Sequence, residues 1–207
     1  MPNKKEKVQY SELRQDIVSG EWVVIATGRA RRPNDFIAKA ARMPVNNKTE
    51  CPFESLEAAA KLIITKRGEI LKNAKDSRAK DWFVEVIPNK FPAFSPRSVC
   101  AVFYDHGPHR FTEGIGFHEV IVFRPHEKSL ALMTPDEVSL VIRAYKERMK
   151  ALSSEECVGY ISIIHNHGPL SGASITHPHS QLLAIPVIPP DVSRSLSGSE
   201  RYFIEKK

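Results

Sequence analysis

Apolar and polar positions alternate along much of the chain, the period of half-buried β-strands rather than of helices. In residues 9 to 28, QYSELRQDIVSGEWVVIATG, a turn at Ser19-Gly20 precedes EWVVIAT, whose β-branched and aromatic side chains suit a pleated surface. Two extended segments follow the alanine-rich stretch SLEAAAK. KLIITKRGEI folds around a Lys66-Arg67-Gly68 turn, and DWFVEVIPNKFPAF is broken by Pro88 and Pro92, which leave Asn89 in an irregular loop. SVCAVFYD, GFHEVIVF and VGYISIIHN read as further strands, and the prolines of LLAIPVIPP end any regular element.

One helix interrupts this pattern. Thr134 is an N-cap, Pro135 occupies the first helical position and Glu137 completes a capping box. Apolar residues then recur at Val138, Val141, Ile142, Tyr145 and Met149. Many strands with one long helix predict an α+β fold, an antiparallel sheet with that helix packed on it.

The 207 residues, 42% of them apolar, can bury a core as a single domain, 1–207, with 1–8 and 200–207 frayed. The net charge of +6 suits a phosphorylated small molecule, an anionic lipid or nucleic acid, although much of it lies in the terminal lysines and in Arg29, Arg31 and Arg32. No exposed aromatics interleave the basic residues as base stacking requires, so nucleic acid is not the expected partner. The apolar stretches fall far short of the roughly 20 residues that span a bilayer, which gives no membrane partner. Cys51, Cys100 and Cys157 form no CxxC pair. That predicts no disulfide framework and a reducing, cytoplasmic compartment.

The chemistry concentrates in HNHGPLSGASITHPHSQ, residues 165 to 181. In an extended segment His177, His179 and Gln181 project to one face. Imidazole can attack phosphorus near neutral pH to form a phosphoramidate, and an amide such as Gln181 can donate to a non-bridging phosphoryl oxygen. Spacing alone equally allows two loop histidines without a catalytic role. The small-residue loop from Gly168 through Gly172 to Ser174 adds weight, because its backbone can approach phosphate oxygens closely, and Asn166 can add a side-chain donor.

Asn166-x-Gly168, Gly172-Ala-Ser174 and His177-Pro-His179-x-Gln181 together resemble the active-site signature of galactose-1-phosphate uridylyltransferases, the nucleotidyltransferase branch of the histidine-triad superfamily. The hydrolase branches carry His-x-His-x-His, whereas Gln181 stands in the third position here, as in the transferases. SELRQDIVSGEWVVIATGRARRP, VIPNKFPAF and GFHEVIVFRPHEKSL extend the resemblance over most of the chain. The resemblance implies a histidine-triad-like fold and a nucleotidyl-enzyme on His179, with Gln181 donating to phosphate. It also implies substrate contacts from Arg29, Arg32, Asn89, Asn166, Gly172 and Ser174. UMP would pass from a nucleotide sugar, UDP-glucose, to a hexose 1-phosphate, and a homodimer is implied as well.

The same resemblance implies a structural zinc site at Cys51, Glu54, His126 and His177. The family's CPFC stands here as Cys51-Pro-Phe-Glu54, and a carboxylate is an acceptable zinc ligand. The second departure is length, since these transferases look like two copies of one domain and the sequence spans the first. An adenylyl transferase or phosphorylase acting on ADP-glucose or a dinucleoside polyphosphate, and a non-catalytic nucleotide-binding module, are the competing readings. His106, His109, His118, His165 and His167 receive no role.

Overall fold

The structure is a computed structural model describing residues 11–26, 48, 51–168, 171 and 175–206. Among the described residues ten strands form two antiparallel sheets. They are β1 (Glu12–Gln15), β2 (Trp22–Ile25), β3 (Leu62–Thr65), β4 (Ile70–Leu71), β5 (Trp82–Pro88), β6 (Phe103–His106), β7 (His109–Glu113), β8 (Phe117–Phe123), β9 (Tyr160–Ile164) and β10 (His179–Ile185). The smaller sheet has the order β2-β1-β7-β6, and the larger β4-β3-β5-β8-β10-β9. The α+β antiparallel architecture expected from the alternation is therefore present.

Local chemistry explains the turns. Asp16 Oδ1 accepts the backbone N–H groups of Val18 and Ser19, and Gly20 takes the left-handed backbone (φ 73°) that closes the β1–β2 hairpin. The helix α1 (Pro135–Leu152) begins with the expected capping box. Thr134 Oγ1 accepts the Glu137 N–H, and the Glu137 carboxylate accepts the Thr134 N–H at 2.7 Å.

The period-2 pattern of the large sheet divides its side chains between two layers. On one face Val84, Val86, Ile121, Phe123, Leu182 and Ala184 pack against Val141, Ala144 and Leu152 of α1. Two polar ties join that layer: Arg148 grips Glu119 through both carboxylate oxygens at 2.7 and 2.8 Å, and the Tyr145 hydroxyl meets Ser180 Oγ at 2.6 Å. On the opposite face Ile63, Trp82, Ile87, Val120 and Val122 pack against Cys51 and Phe53. A third cluster, Leu13, Ala93, Phe94 and Val187, joins the small sheet to the large one.

Three features differ from expectation. Cys100 and Cys157, 57 residues apart, form a disulfide with their Cα atoms 5.0 Å apart. The expectation of none fails because the fold brings together two segments whose sequence spacing carries no pairing signal, and the cysteines thus give no argument for a reducing compartment. A second helix, α2 (Pro190–Lys206), follows β10, and the stretch read as a frayed end forms its last turns. Pro190 starts this helix rather than stopping it, since the first helical position needs no N–H donor. The strands β1 and β7 are the third, since ELRQ and HRFTE each hold a single apolar residue and so show no alternation. Among the described residues no helix is long and apolar enough to cross a membrane.

Candidate functional site

Strands β8 and β10 build the site on the sheet face away from α1. His179 pairs with Val122 and Gln181 with Val120, so both side chains share the face of those valines. His179 is 7% exposed, and its Nδ1 lies 2.8 Å from the His177 carbonyl oxygen. A carbonyl only accepts, so Nδ1 carries the proton and the neutral ring keeps its lone pair on Nε2. The Phe53 ring meets His179 edge-on at 5.2 Å, adding an apolar wall. Asn166 follows β9 by two residues, and β9 ends with Ile164 opposite Gln181.

His177 points its ring into a second cluster. It is fully buried, and its Nε2–H donates to the Phe123 carbonyl at 2.6 Å, which leaves the Nδ1 lone pair facing inward. Around that nitrogen stand Cys51 Sγ at 3.5 Å, His126 Nδ1 at 3.1 Å and Glu54 Oε1 at 3.6 Å. The edges of a zinc tetrahedron with N, O and S ligands are about 3.3 to 3.6 Å long; the Cys51 and Glu54 separations fall within that range and the His126 separation is slightly shorter. The Glu54–His126 edge is shorter, 2.5 Å. Cys51, His126 and His177 alone bring three ligand atoms within 4.8 Å of one another and could hold a metal.

Electrostatics at this cluster follow from burial. Burial pulls the His177 pKa down, opposed by its hydrogen bond to Phe123, and keeps the ring neutral as a ligand must be. Burial likewise pushes the Cys51 thiol up, with a contribution from the Glu54 charge. The loop carrying Cys51 and Glu54 is clamped from β8's end. Arg124 donates to the Glu54 carbonyl at 2.7 Å while its guanidinium lies over the Trp82 ring at 4.9 Å.

The structure thus brings His179 and Gln181 to one face and Cys51, His126 and His177 into one cluster, with the Glu54 carboxylate against His126 and His177. Asn89 sits beside them, its Oδ1 accepting the Phe91 N–H at 2.9 Å. Arg29, Arg32, Gly172 and Ser174 lie outside the described residues. His165 faces the α1 layer, with Nδ1 2.9 Å from Ser180 Oγ, and it stacks on Phe123 and His167. His106 and His109 are exposed on the β6–β7 hairpin. Sequence reasoning passed over His118, which contacts both Gln181 and Asn89. The signal was available, since alternation in GFHEVIVF sets His118 on the face of Val120 and Val122.

The chain is 33% identical over 202 residues to the ADP-glucose phosphorylase of Arabidopsis thaliana, covering 95% of this chain and 55% of that protein. It is 26% identical over 199 residues to the galactose-1-phosphate uridylyltransferase of Thermotoga maritima, covering 95% and 53% respectively. The crystal structure of an ADP-glucose phosphorylase from Arabidopsis thaliana with bound ADP-glucose superposes with a TM-score of 0.53 at 29% identity, over 95% of this chain and 56% of that one. The chain therefore spans about half the length of these relatives. The family model described as galactose-1-phosphate uridyl transferase, N-terminal domain, matches residues 2–189, and the chain belongs to that family.

Proposed function

We propose that the chain carries out nucleotidyl transfer through a covalent nucleotidyl-histidine on His179, with a nucleotide sugar as donor and a sugar phosphate as acceptor. The observation that carries this reading is the His179 ring itself. Its Nδ1–H is committed to the His177 carbonyl, so in the neutral ring Nε2 carries the lone pair that attacks, and Gln181 lies two residues along the same face. Nε2 attacks the α-phosphorus, the bond from phosphorus to the bridging oxygen breaks, and the sugar 1-phosphate departs with that electron pair. A phosphate oxygen of the acceptor then attacks the same phosphorus, the N–P bond breaks and His179 is restored. In both steps the Gln181 amide donates to a non-bridging oxygen as charge shifts there. Asn89, Asn166 and, by resemblance, Arg29, Arg32, Gly172 and Ser174 bind the nucleotide and its phosphates.

Zinc would be held by Cys51 Sγ, Glu54 carboxylate, His126 Nδ1 and His177 Nδ1, cross-linking the Cys51–Glu54 loop to β10 two residues before the nucleophile. That supplies rigidity at His179 and leaves phosphoryl transfer to the imidazole.

UDP-glucose with a hexose 1-phosphate acceptor, galactose 1-phosphate by resemblance, is the first reading of the substrates. A second, adenylyl transfer from ADP-glucose, is favoured by the higher identity to the Arabidopsis ADP-glucose phosphorylase, 33% against 26%. Incubation with UDP-glucose and ADP-glucose, each labelled in the α-phosphate, tests both readings side by side. Acid-labile, base-stable label on the protein is expected from one donor and is expected to vanish in His179→Ala. Undiminished labelling of that variant would refute the nucleophile, and the preferred donor identifies the base.

A further inference from the structure

We infer that His118 is a positioning residue that sets the orientation of the Gln181 carboxamide, turning its amino end toward the phosphoryl group. The inference rests on the proposed nucleotidyl transfer at His179 for its catalytic consequence, and on hydrogen-bond chemistry for the orientation. His118 is 5% exposed within β8, and its Nδ1 lies 2.9 Å from the backbone nitrogen of Ala93. A peptide N–H can only donate, so Nδ1 accepts and carries no proton. The neutral ring therefore holds its proton on Nε2.

That proton faces Gln181 Oε1 at 2.8 Å. Which end of a glutamine amide is oxygen follows from its partners, and an N–H partner demands the oxygen. Gln181 is thereby held with Oε1 on His118 and Nε2 left to donate elsewhere. Asn89 Nδ2 lies 3.0 Å from the same ring nitrogen and could donate to it only were Nε2 unprotonated; with Asn89 Oδ1 held by the Phe91 N–H, the two amides compete for Nε2, and the Ala93 N–H on Nδ1 decides in favour of the proton and Gln181 Oε1. The chain of dictation thus runs from a backbone N–H through one imidazole to one amide. With the amide turned over, a carbonyl oxygen would meet a phosphoryl oxygen and the transition state would lose a donor while gaining a repulsion.

The test is a double-mutant cycle on the rate of nucleotidyl-enzyme formation from labelled UDP-glucose and ADP-glucose. His118→Phe removes both ring nitrogens at similar size, and His118→Gln returns an amide donor. His118→Phe is expected to slow labelling about 10- to 100-fold when Gln181 is present and less than about twofold in a Gln181→Ala background, with His118→Gln recovering part of the rate. An equal loss in both backgrounds would overturn the proposal, since His118 would then act independently of Gln181. Nitrogen NMR of the ring provides a readout independent of turnover, with a proton on Nε2, none on Nδ1, and a shifted Gln181 amide signal in His118→Phe expected. A proton on Nδ1, or a Gln181 amide signal indifferent to the substitution, would overturn it. If the wild-type chain takes no label from either donor, the reaction reading fails while the NMR result still decides the orientation.

Discussion

Replacing Glu85 by glutamine isolates the energetic consequence of a carboxyl group buried in the site-bearing sheet. Glu85 is 1% exposed in β5, opposite Val122, and its Oε1 accepts the Glu57 N–H at 2.5 Å. Burial pushes its pKa from 4.5 up to about 7; the Glu57 hydrogen bond opposes this and the Glu57 charge reinforces it. In the unfolded chain the group ionises at its ordinary value. Between about pH 4.5 and 7 the native state therefore binds the extra proton, and stability falls as pH rises through that window and stays lower above it. At about 1.4 kcal/mol per pH unit the full loss is on the order of 3 kcal/mol at pH 8 and under about 1 kcal/mol at pH 5. Glu85→Gln keeps the acceptor for Glu57 and cannot ionise. Urea unfolding followed by the fluorescence of buried Trp82 should show the variant gaining about 2 kcal/mol on the wild type between pH 5 and pH 8. Any cost of placing the amide NH2 is the same at both pH values and cancels. A difference that does not change with pH would refute the titration of Glu85 in this window.

Two further outcomes follow from the same packing and site geometry. Arg148→Met should cost about 3 to 5 kcal/mol by stranding the Glu119 charge, 5% exposed, beneath α1, and the added substitution Glu119→Leu should recover most of it; a loss under about 1 kcal/mol in chemical denaturation would contradict the ion pair's burial. Metal analysis should find about one zinc per chain, and Glu54→Ala should weaken zinc about 10-fold or more in chelator competition. A wild-type content under about half an equivalent would count against the four-ligand site.

The resemblance carried by His177-Pro-His179-x-Gln181 pointed to the neighbourhood of the proposed nucleophile, and alternation supplied the reason those side chains share a face. The capping box at Thr134 marked the start of α1, because its hydrogen bonds span three residues. Signals of this kind are local: strand period, turn glycines and helix caps are written within a few neighbouring positions. The candidate metal cluster was legible only through the resemblance, since Glu54 and His126 are 72 residues apart and nothing in either segment names the other. The Cys100–Cys157 disulfide was not legible at all, and alternation in GFHEVIVF gave the face of His118 but not its partners. Each depends on which strands pair and in which register, as when β8 beside β10 brings Nε2 of His118 within 2.8 Å of Gln181. The sequence by itself determined the elements, their apolar faces and the chemical inventory; the tertiary structure alone decided which distant donors meet which acceptors, because register and packing are set by burial summed over the whole sheet.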